Sequence, residues 1–87
     1  MKNLKTVEGF VAMFDGKVLT CMVADAEYWG LMSPEKAEIN TISVFTEKQF
    51  DEFKRYNPFI TDEHTGDEIM TSELKLIPAK FSIDINY

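Results

Sequence analysis

The sequence predicts a small α+β domain, in which a mostly antiparallel sheet of about four to six strands carries one main helix at about residues 47–56. Three observations predict it: an Asp-Gly turn between two apolar runs, a segment with helix caps and helical spacing, and a C-terminal segment that alternates apolar with polar residues. The chain of 87 residues is long enough for a single modest core. We therefore expect one domain over residues 1–87.

The N-terminal hairpin is predicted by Asp15-Gly16, which joins the runs "TVEGFVAMF" and "KVLTCMVAD". Glycine and aspartate both tolerate the positive φ angles of a type I′ turn. A two-residue loop sets Phe14 opposite Lys17 and divides the hairpin into two faces. One face carries Phe10, Ala12, Phe14, Leu19, Cys21 and Val23; the other carries Val7, Val11, Met13, Val18, Thr20 and Met22. Because both faces are apolar, another part of the chain or a second molecule must cover the second face.

The next segments are less regular. Residues 25–40 contain Ser33-Pro34, which predicts a helical turn of short length, since serine caps a helix and proline suits its first position. The β-branched residues of "NTISVF", residues 40–45, predict a third strand.

The helix is predicted by its start and stop signals. Thr46 is the expected N-cap, Gln49 completes a capping box, and Phe45 packs on Phe50 as a hydrophobic staple. Asn57-Pro58 ends the helix, because a residue before proline disfavours the α conformation. The apolar stripe is expected to consist of Phe50, Phe53 and Tyr56.

Two further strand features are predicted in the C-terminal third. Residues 59–61 and 69–71 form a short hairpin around an acidic turn. Residues 80–87, "KFSIDINY", alternate apolar and polar residues, which is typical of a strand with one polar face. Pro78 predicts an edge position, a bend or a bulge, because proline lacks the N–H that a central strand must donate.

Composition excludes several function classes. The chain has 15 acidic and 9 basic residues and a net charge of −6, so it lacks the basic surface that direct nucleic-acid binding requires. No apolar run approaches the length of a membrane span. Cys21 is the single cysteine, which excludes an intrachain disulfide, and its apolar neighbours predict a buried thiol. We expect a cytoplasmic protein without a cofactor.

The stretch "ITDEHTGDEI" has the residue types of a metal site but not the spacing. A calcium loop of EF-hand type that starts at Asp62 has Glu73 at its twelfth position, as required. However, its third position is His64, and Gly66 falls at the fifth position instead of the sixth. A zinc site needs more histidine or cysteine than one of each. The sequence therefore predicts no metal site.

Enzyme chemistry is weakly supported. The chain has no glycine-rich phosphate loop and no nucleophile elbow. Asp25 and Glu27 lie beside aromatic residues in a way that resembles a glycosidase subsite, but no matched second pair of carboxylates can be placed. A small carboxylate-based enzyme is the weakest alternative.

Binding of another protein is the favoured function. Tyr28 and Trp29 are consecutive aromatic residues that cannot both enter one core, and both types are enriched at interfaces. The acidic residues around His64 are suited to a basic surface. The predicted partner-binding residues are Asp62, Glu63, Asp67, Glu68, Glu73, Tyr28 and Trp29. The alternative is that the acidic stretch is a solvated turn and that Trp29 closes the end of the sheet.

These features predict a small acidic, non-enzymatic module that binds a basic protein surface, with an inhibitor of phage type as one form of it by analogy from size and charge. If the bound surface normally holds nucleic acid, the carboxylates imitate phosphate charge. The alternative function is a homodimer that holds a small ligand, with the dimer face formed by Val11, Met13, Val18 and Met22. A rival to the dimer is that residues 25–40 and the C-terminal strands cover that face.

Overall fold

The computed structural model describes residues 2–86, with the side chains of residues 9–80. In chain order the elements are β1 (Lys2–Phe14), β2 (Lys17–Val23), β3 (Glu27–Met32), α1 (Glu47–Tyr56), β4 (Phe59–Thr61), β5 (Glu68–Met70) and β6 (Lys75–Asn86). Strands β3, β2, β1 and β6, in that order, form a four-stranded antiparallel sheet, and β4 and β5 form a second small sheet. The predicted α+β fold, with one helix on a mostly antiparallel sheet, is confirmed.

The Asp15-Gly16 turn forms as predicted. Asp15 has φ 51° and Gly16 has φ 74°, and the residues flanking the turn, Phe14 and Lys17, are partners in the ladder. The ladder between β1 and β2 then ends after Met13 and Val18. The expected pairing along the rest of the hairpin is therefore wrong, because the two strands diverge.

An extended segment, residues 42–45, fills the gap between the diverging strands. The Ser43 N–H donates to the Leu19 carbonyl at 3.1 Å, and Phe45 exchanges two main-chain hydrogen bonds with Phe10 at 2.8 and 3.0 Å. Isolated bridges join this segment to both strands, and a 3₁₀ helix at Ile39–Thr41 leads into it. The third strand predicted at residues 40–45 is thus replaced by a 3₁₀ turn and a short extended segment, residues 42–45, which we call the wedge.

Close approach of this wedge to β1 depends on a glycine. A Cβ atom at Gly9 would lie 2.5 Å from Val44 Cγ1, which is closer than van der Waals contact allows. Glycine therefore lets the wedge reach the main chain of β1.

Strands β1 and β6 are paired along most of their length. The register runs from Lys2 opposite Asn86 to Met13 opposite Lys75, with Phe10 opposite Pro78. Strand β6 ends the sheet, so Pro78 lies on an edge strand, as one of the predicted alternatives requires. The strand continues past this proline without interruption and begins five residues earlier than the predicted residue 80.

Residues 25–40 contain a strand that the sequence did not indicate. Strand β3 pairs with β2 from Val18 opposite Met32 to Val23 opposite Glu27. After it, the N–H groups of Lys36 and Ala37 both donate to the Ser33 carbonyl, which forms the single helical turn that was predicted.

The helix has the predicted caps. The Thr46 hydroxyl accepts from the Gln49 N–H at 3.1 Å, the Gln49 side chain accepts from the Thr46 N–H at 2.9 Å, and the rings of Phe45 and Phe50 lie 5.4 Å apart. Phe50 and Phe53 are buried, and Phe53 packs on Trp29 at 4.9 Å. The core consists of Ala12, Leu19, Leu31, Phe50, Phe53, Ile60 and Leu74.

Tyr56 does not belong to the buried stripe. It is 78% exposed, which corrects the prediction that it packs against the sheet. Asn57 is the C-cap, so Tyr56 is the last residue of the helix.

The second face of the N-terminal hairpin is covered by the chain itself. Val11 and Val18 are 5% and 3% exposed, Met13 is half-buried and Met22 is 56% exposed. The cover consists of Pro34, Ala37, Ile39 and Ile42, and these residues line a partly open depression of about 390 Å³ together with Val11, Met13 and Val18. The dimer face was predicted because an exposed apolar surface is unfavourable in water. Most of this apolar surface is already buried within the chain, so that reason for a dimer no longer applies.

Several residues of the predicted strands lie at the ends of the described part of the chain. Val7 and the alternating residues Phe81, Ile83 and Ile85 have side chains outside the described range, and Tyr87 lies outside the described residues altogether.

Replacing Gly9 with alanine tests the role of the wedge. Because the added methyl overlaps Val44, Gly9→Ala should lower the free energy of unfolding in urea by about 1 to 3 kcal/mol. Removing the obstructing atoms in Gly9→Ala/Val44→Ala should recover part of that loss. A Gly9→Ala variant as stable as the parent would contradict the close approach.

Candidate functional site

The acidic turn between β4 and β5 is held by one buried carboxylate. Asp62 is 3% exposed, and its Oδ1 accepts the His64 N–H at 3.0 Å and the Leu31 N–H at 3.3 Å. Its Oδ2 accepts the Thr65 hydroxyl at 3.2 Å. Aspartate commonly closes a turn by accepting the N–H two residues later. Here the same oxygen also acts as the hydrogen-bond acceptor for the edge of β3.

A second bond fixes the turn against the same edge. The Glu63 N–H donates to the Trp29 carbonyl at 3.0 Å. A Cβ atom at Gly30 would lie 2.8 Å from His64 Nε2, so the imidazole ring lies directly against this glycine of β3. Together these contacts place Glu63 and His64 directly over β3.

This docking forms a surface that we call the acidic-aromatic surface. It is a depression of about 300 Å³ whose lining comes from β3, β4 and the turn. The lining residues are Glu27, Tyr28, Trp29, Phe59, Ile60, Thr61 and Glu63. Tyr28 is 40% exposed and Phe59 is 52% exposed. The predicted aromatic pair and part of the predicted acidic stretch thus meet in one place.

The surface is acidic because the segments that form it lack compensating charge. Residues 18–35 and 56–74 contain none of the nine lysine and arginine residues of the chain. The Tyr28 hydroxyl donates to Asp25 Oδ1 at 2.6 Å. This hydrogen bond lowers the pKa of Asp25 and raises the pKa of Tyr28, to which burial and the charge of Glu63 also contribute. Asp25 therefore remains ionised beside the surface.

The predicted binding residues divide into several groups. Glu63 and Tyr28 lie on the acidic-aromatic surface; Trp29 lines it too but is half-buried and packs on Phe53. Glu68 is exposed and lies opposite Thr61 in the small sheet, next to the same surface. Asp67 and Glu73 are exposed but do not line the depression.

Asp62 was predicted to contact a partner, but its side chain is buried and cannot reach one. Its buried carboxylate is already engaged with the turn and with β3, so it supports the surface instead of forming part of it.

Phe59 was not singled out from the sequence, although it contributes the most exposed ring of the surface. Its position three residues after the helix, at the start of the strand predicted at residues 59–61, was the available signal. On its other side Phe59 lines a second depression together with Lys54 and Arg55, so the acidic region ends there.

A separate cavity of about 240 Å³ brings together the single cysteine and the single histidine. Cys21, Glu63 and His64 line it with residues of β2, β3 and the covering segment. Burial raises the pKa of the Cys21 thiol, and the charges of Glu27 and Glu63 raise it further. A reactive thiol needs a lowered pKa, so this arrangement does not activate Cys21 as a nucleophile.

No group of three or more histidine, cysteine, aspartate or glutamate residues within the described part of the chain is placed to hold a metal ion. Within residues 2–86, the helices are too short or too polar to cross a membrane.

Comparison with protein-family models, with curated proteins and with solved structures finds no match for this chain.

The role of Asp62 is testable by removing its oxygens. Asp62→Ala should lower the free energy of unfolding by about 2 to 3 kcal/mol, because the buried Leu31 N–H loses its acceptor. Asp62→Asn should cost less, since its amide oxygen still accepts from Leu31 and His64. Urea unfolding measures both.

Asp67→Ala is the matched control, because Asp67 is exposed, and a change within about 0.5 kcal/mol is expected there. Equal effects of Asp62→Ala and Asp67→Ala would contradict the docking of the turn through Asp62.

Proposed function

We infer that this protein is a small non-enzymatic binding module, and that its acidic-aromatic surface holds a basic surface of another protein. The observation that carries the proposal is the meeting of Tyr28, Phe59 and Glu63 in one depression whose lining contains no lysine or arginine. Two exposed rings provide apolar contact area, and the carboxylates around them provide charge.

The rings and the charges have different roles in this proposal. Tyrosine is among the residues that most often dominate binding energy when a partner excludes water from them. Carboxylates at a rim mainly speed association and select a partner of opposite charge, and salt screens them. Tyr28 combines both roles, because its ring is exposed while its hydroxyl bonds to Asp25.

Proteins that handle nucleic acid present basic surfaces of the kind that would fit here. A module that occupies such a surface competes with phosphate groups and acts as an inhibitor, and a phage-type inhibitor of a host protein is one form of this function. The acidic charge of the chain disfavours direct binding to nucleic acid.

Affinity capture from a lysate of the native host, eluted in salt steps, tests the proposal. The experiment compares the wild-type protein with two double variants. Wild type should retain a stoichiometric basic protein that moderate salt releases. Glu27→Gln/Glu63→Gln should retain it weakly, because two carboxylates of the surface are neutralised. The control Glu47→Gln/Glu52→Gln removes the same charge from the exposed side of α1 and should behave like wild type.

Titration of the purified partner separates apolar from charged contributions. Tyr28→Ala should weaken binding about tenfold or more, whereas Tyr28→Phe keeps the ring and should weaken it less. Equal binding by wild type and both surface variants would contradict the proposed site, and capture of no protein at all would contradict the proposed function.

A further inference from the structure

The depression of the acidic-aromatic surface lies between the facing edges of two strands. At one end of it the Glu63 N–H bonds to the Trp29 carbonyl, which joins the turn after β4 to β3. Beyond that junction, residues 27–29 of β3 form one wall and residues 59–61, which are β4, form the other. No ladder joins β3 to β4 within the described part of the chain, so main-chain groups of both strands face the space between them.

The main-chain groups of β3 that face the depression belong to alternate residues. The Trp29 carbonyl and the Leu31 N–H bond to the turn, so the main-chain groups of both residues point away from β2. The direction of these groups alternates along a strand of an antiparallel ladder. The carbonyl of Glu27 therefore also points away from β2, towards the depression.

The same alternation applies to β4. The Asp62 N–H donates to the Asp67 carbonyl at 2.8 Å, so the main-chain groups of Asp62 point to the side of β5. Those of Thr61, the preceding residue, therefore point away from β5, as do those of Glu63, which reach β3. No hydrogen bond joins the carbonyl of Glu27 or Thr61 to another described residue. Each wall thus presents a carbonyl oxygen that can accept a hydrogen bond.

Two carboxylates add negative charge to these carbonyls. Glu27 is exposed, whereas the Glu63 side chain is only 29% exposed, so its charge is partly sheltered from water. Glu63 Oε1 lies 3.9 Å from His64 Nε2, which is too far for a hydrogen bond, so this carboxylate can still accept one. No lysine or arginine lines the depression. The site therefore suits a cation that donates several hydrogen bonds.

Exposed rings favour one type of cation. Tyr28 on β3 is 40% exposed, and Phe59 on β4 is 52% exposed. A guanidinium group is planar, stacks on aromatic rings and donates five hydrogen bonds, whereas the ammonium group of lysine is a compact charge with three donors. The volume of about 300 Å³ is at the lower limit for a ligand pocket, so it suits the end of one side chain.

We propose that this depression binds the guanidinium group of one arginine side chain, which the partner supplies. This inference rests on the proposed function and names the chemistry that the surface recognises. The carboxylates of Glu27 and Glu63 accept from the guanidinium, the carbonyls of Glu27 and Thr61 accept from its remaining N–H groups, and the rings of Tyr28 and Phe59 contact it. A neutral or acidic side chain would leave the two carboxylates without an opposite charge.

NMR titration of the free protein with three blocked tripeptides tests the proposal. Each peptide has glycine on both sides of arginine, lysine or citrulline, the last of which resembles arginine in shape but is uncharged. The arginine peptide should shift the amides of Glu27, Thr61 and Glu63 and saturate in roughly the millimolar range. The lysine peptide should bind at least about threefold more weakly, and the citrulline peptide at least about tenfold more weakly.

Variants connect this binding to the two walls. Glu27→Gln/Glu63→Gln should weaken binding of the arginine peptide at least about tenfold. Phe59→Leu keeps an apolar side chain but removes the ring, and should weaken binding at least about threefold. The control Glu47→Gln/Glu52→Gln removes the same charge from the exposed side of α1 and should bind the peptide like wild type. A well-dispersed amide spectrum shows that each variant is folded.

Equal binding of the arginine and citrulline peptides overturns the recognition of charge, and equal binding of the arginine and lysine peptides overturns the choice of guanidinium. Shifts that spread over the exposed carboxylates of the chain without saturation overturn the site. Capture of a basic protein that depends on Glu27 and Glu63, together with no peptide binding, overturns this inference and leaves the proposed function standing. Peptide binding at the depression with no protein captured supports the guanidinium site and contradicts the proposed function.

Discussion

The carboxylate of Asp62 is the contact on which the arrangement of the small sheet and the acidic-aromatic surface depends. It closes the turn through His64 and accepts the Leu31 N–H from β3, so one residue joins the second sheet to the edge of the first. The Glu63 N–H adds a bond to the Trp29 carbonyl. An edge strand with unpaired main-chain groups invites pairing with other chains, and this turn satisfies part of that edge internally. Acidic residues therefore have both a structural and a surface role within a few positions of each other.

The larger sheet has a comparable constraint at its centre. Strands β1 and β2 separate soon after their turn, and residues 42–45 enter the gap and bond to Phe10 and Leu19. The same segment leads into α1 through Phe45, whose ring contacts both Phe50 and Phe53. The position of the helix is thus set by the wedge as well as by its own apolar stripe. Residues 34–42 lead up to the wedge and end at its first residue. Their path crosses the second face of the hairpin, and they therefore cover that face.

Local signals predicted those parts of the fold that local interactions determine. The Asp15-Gly16 turn and the caps of α1 are contacts between residues close in sequence, and both are present as predicted. The pairing of β1 with β6 and the wedge at residues 42–45 join distant parts of the chain, so no short pattern indicated them. Strand β3 was missed because Gly30 and the charged residues before Tyr28 interrupt its pattern, and the His64 ring that lies against Gly30 comes from a distant part of the chain. For the site, residue types suggested Tyr28 and Glu63, but burial of Asp62 and the contribution of Phe59 depend on tertiary contacts.

The acidic turn is docked on β3 in the free protein, so the acidic-aromatic surface is preformed. Hydrogen exchange of individual amides, measured by NMR on the free protein, tests this directly. The Leu31 and Glu63 amides should exchange as slowly as the amides of core strand β2, because both are bonded across the junction. Exchange of these two amides at the rate of an open loop, while β2 remains protected, would contradict the account, since the turn would then be a solvated loop without a fixed surface.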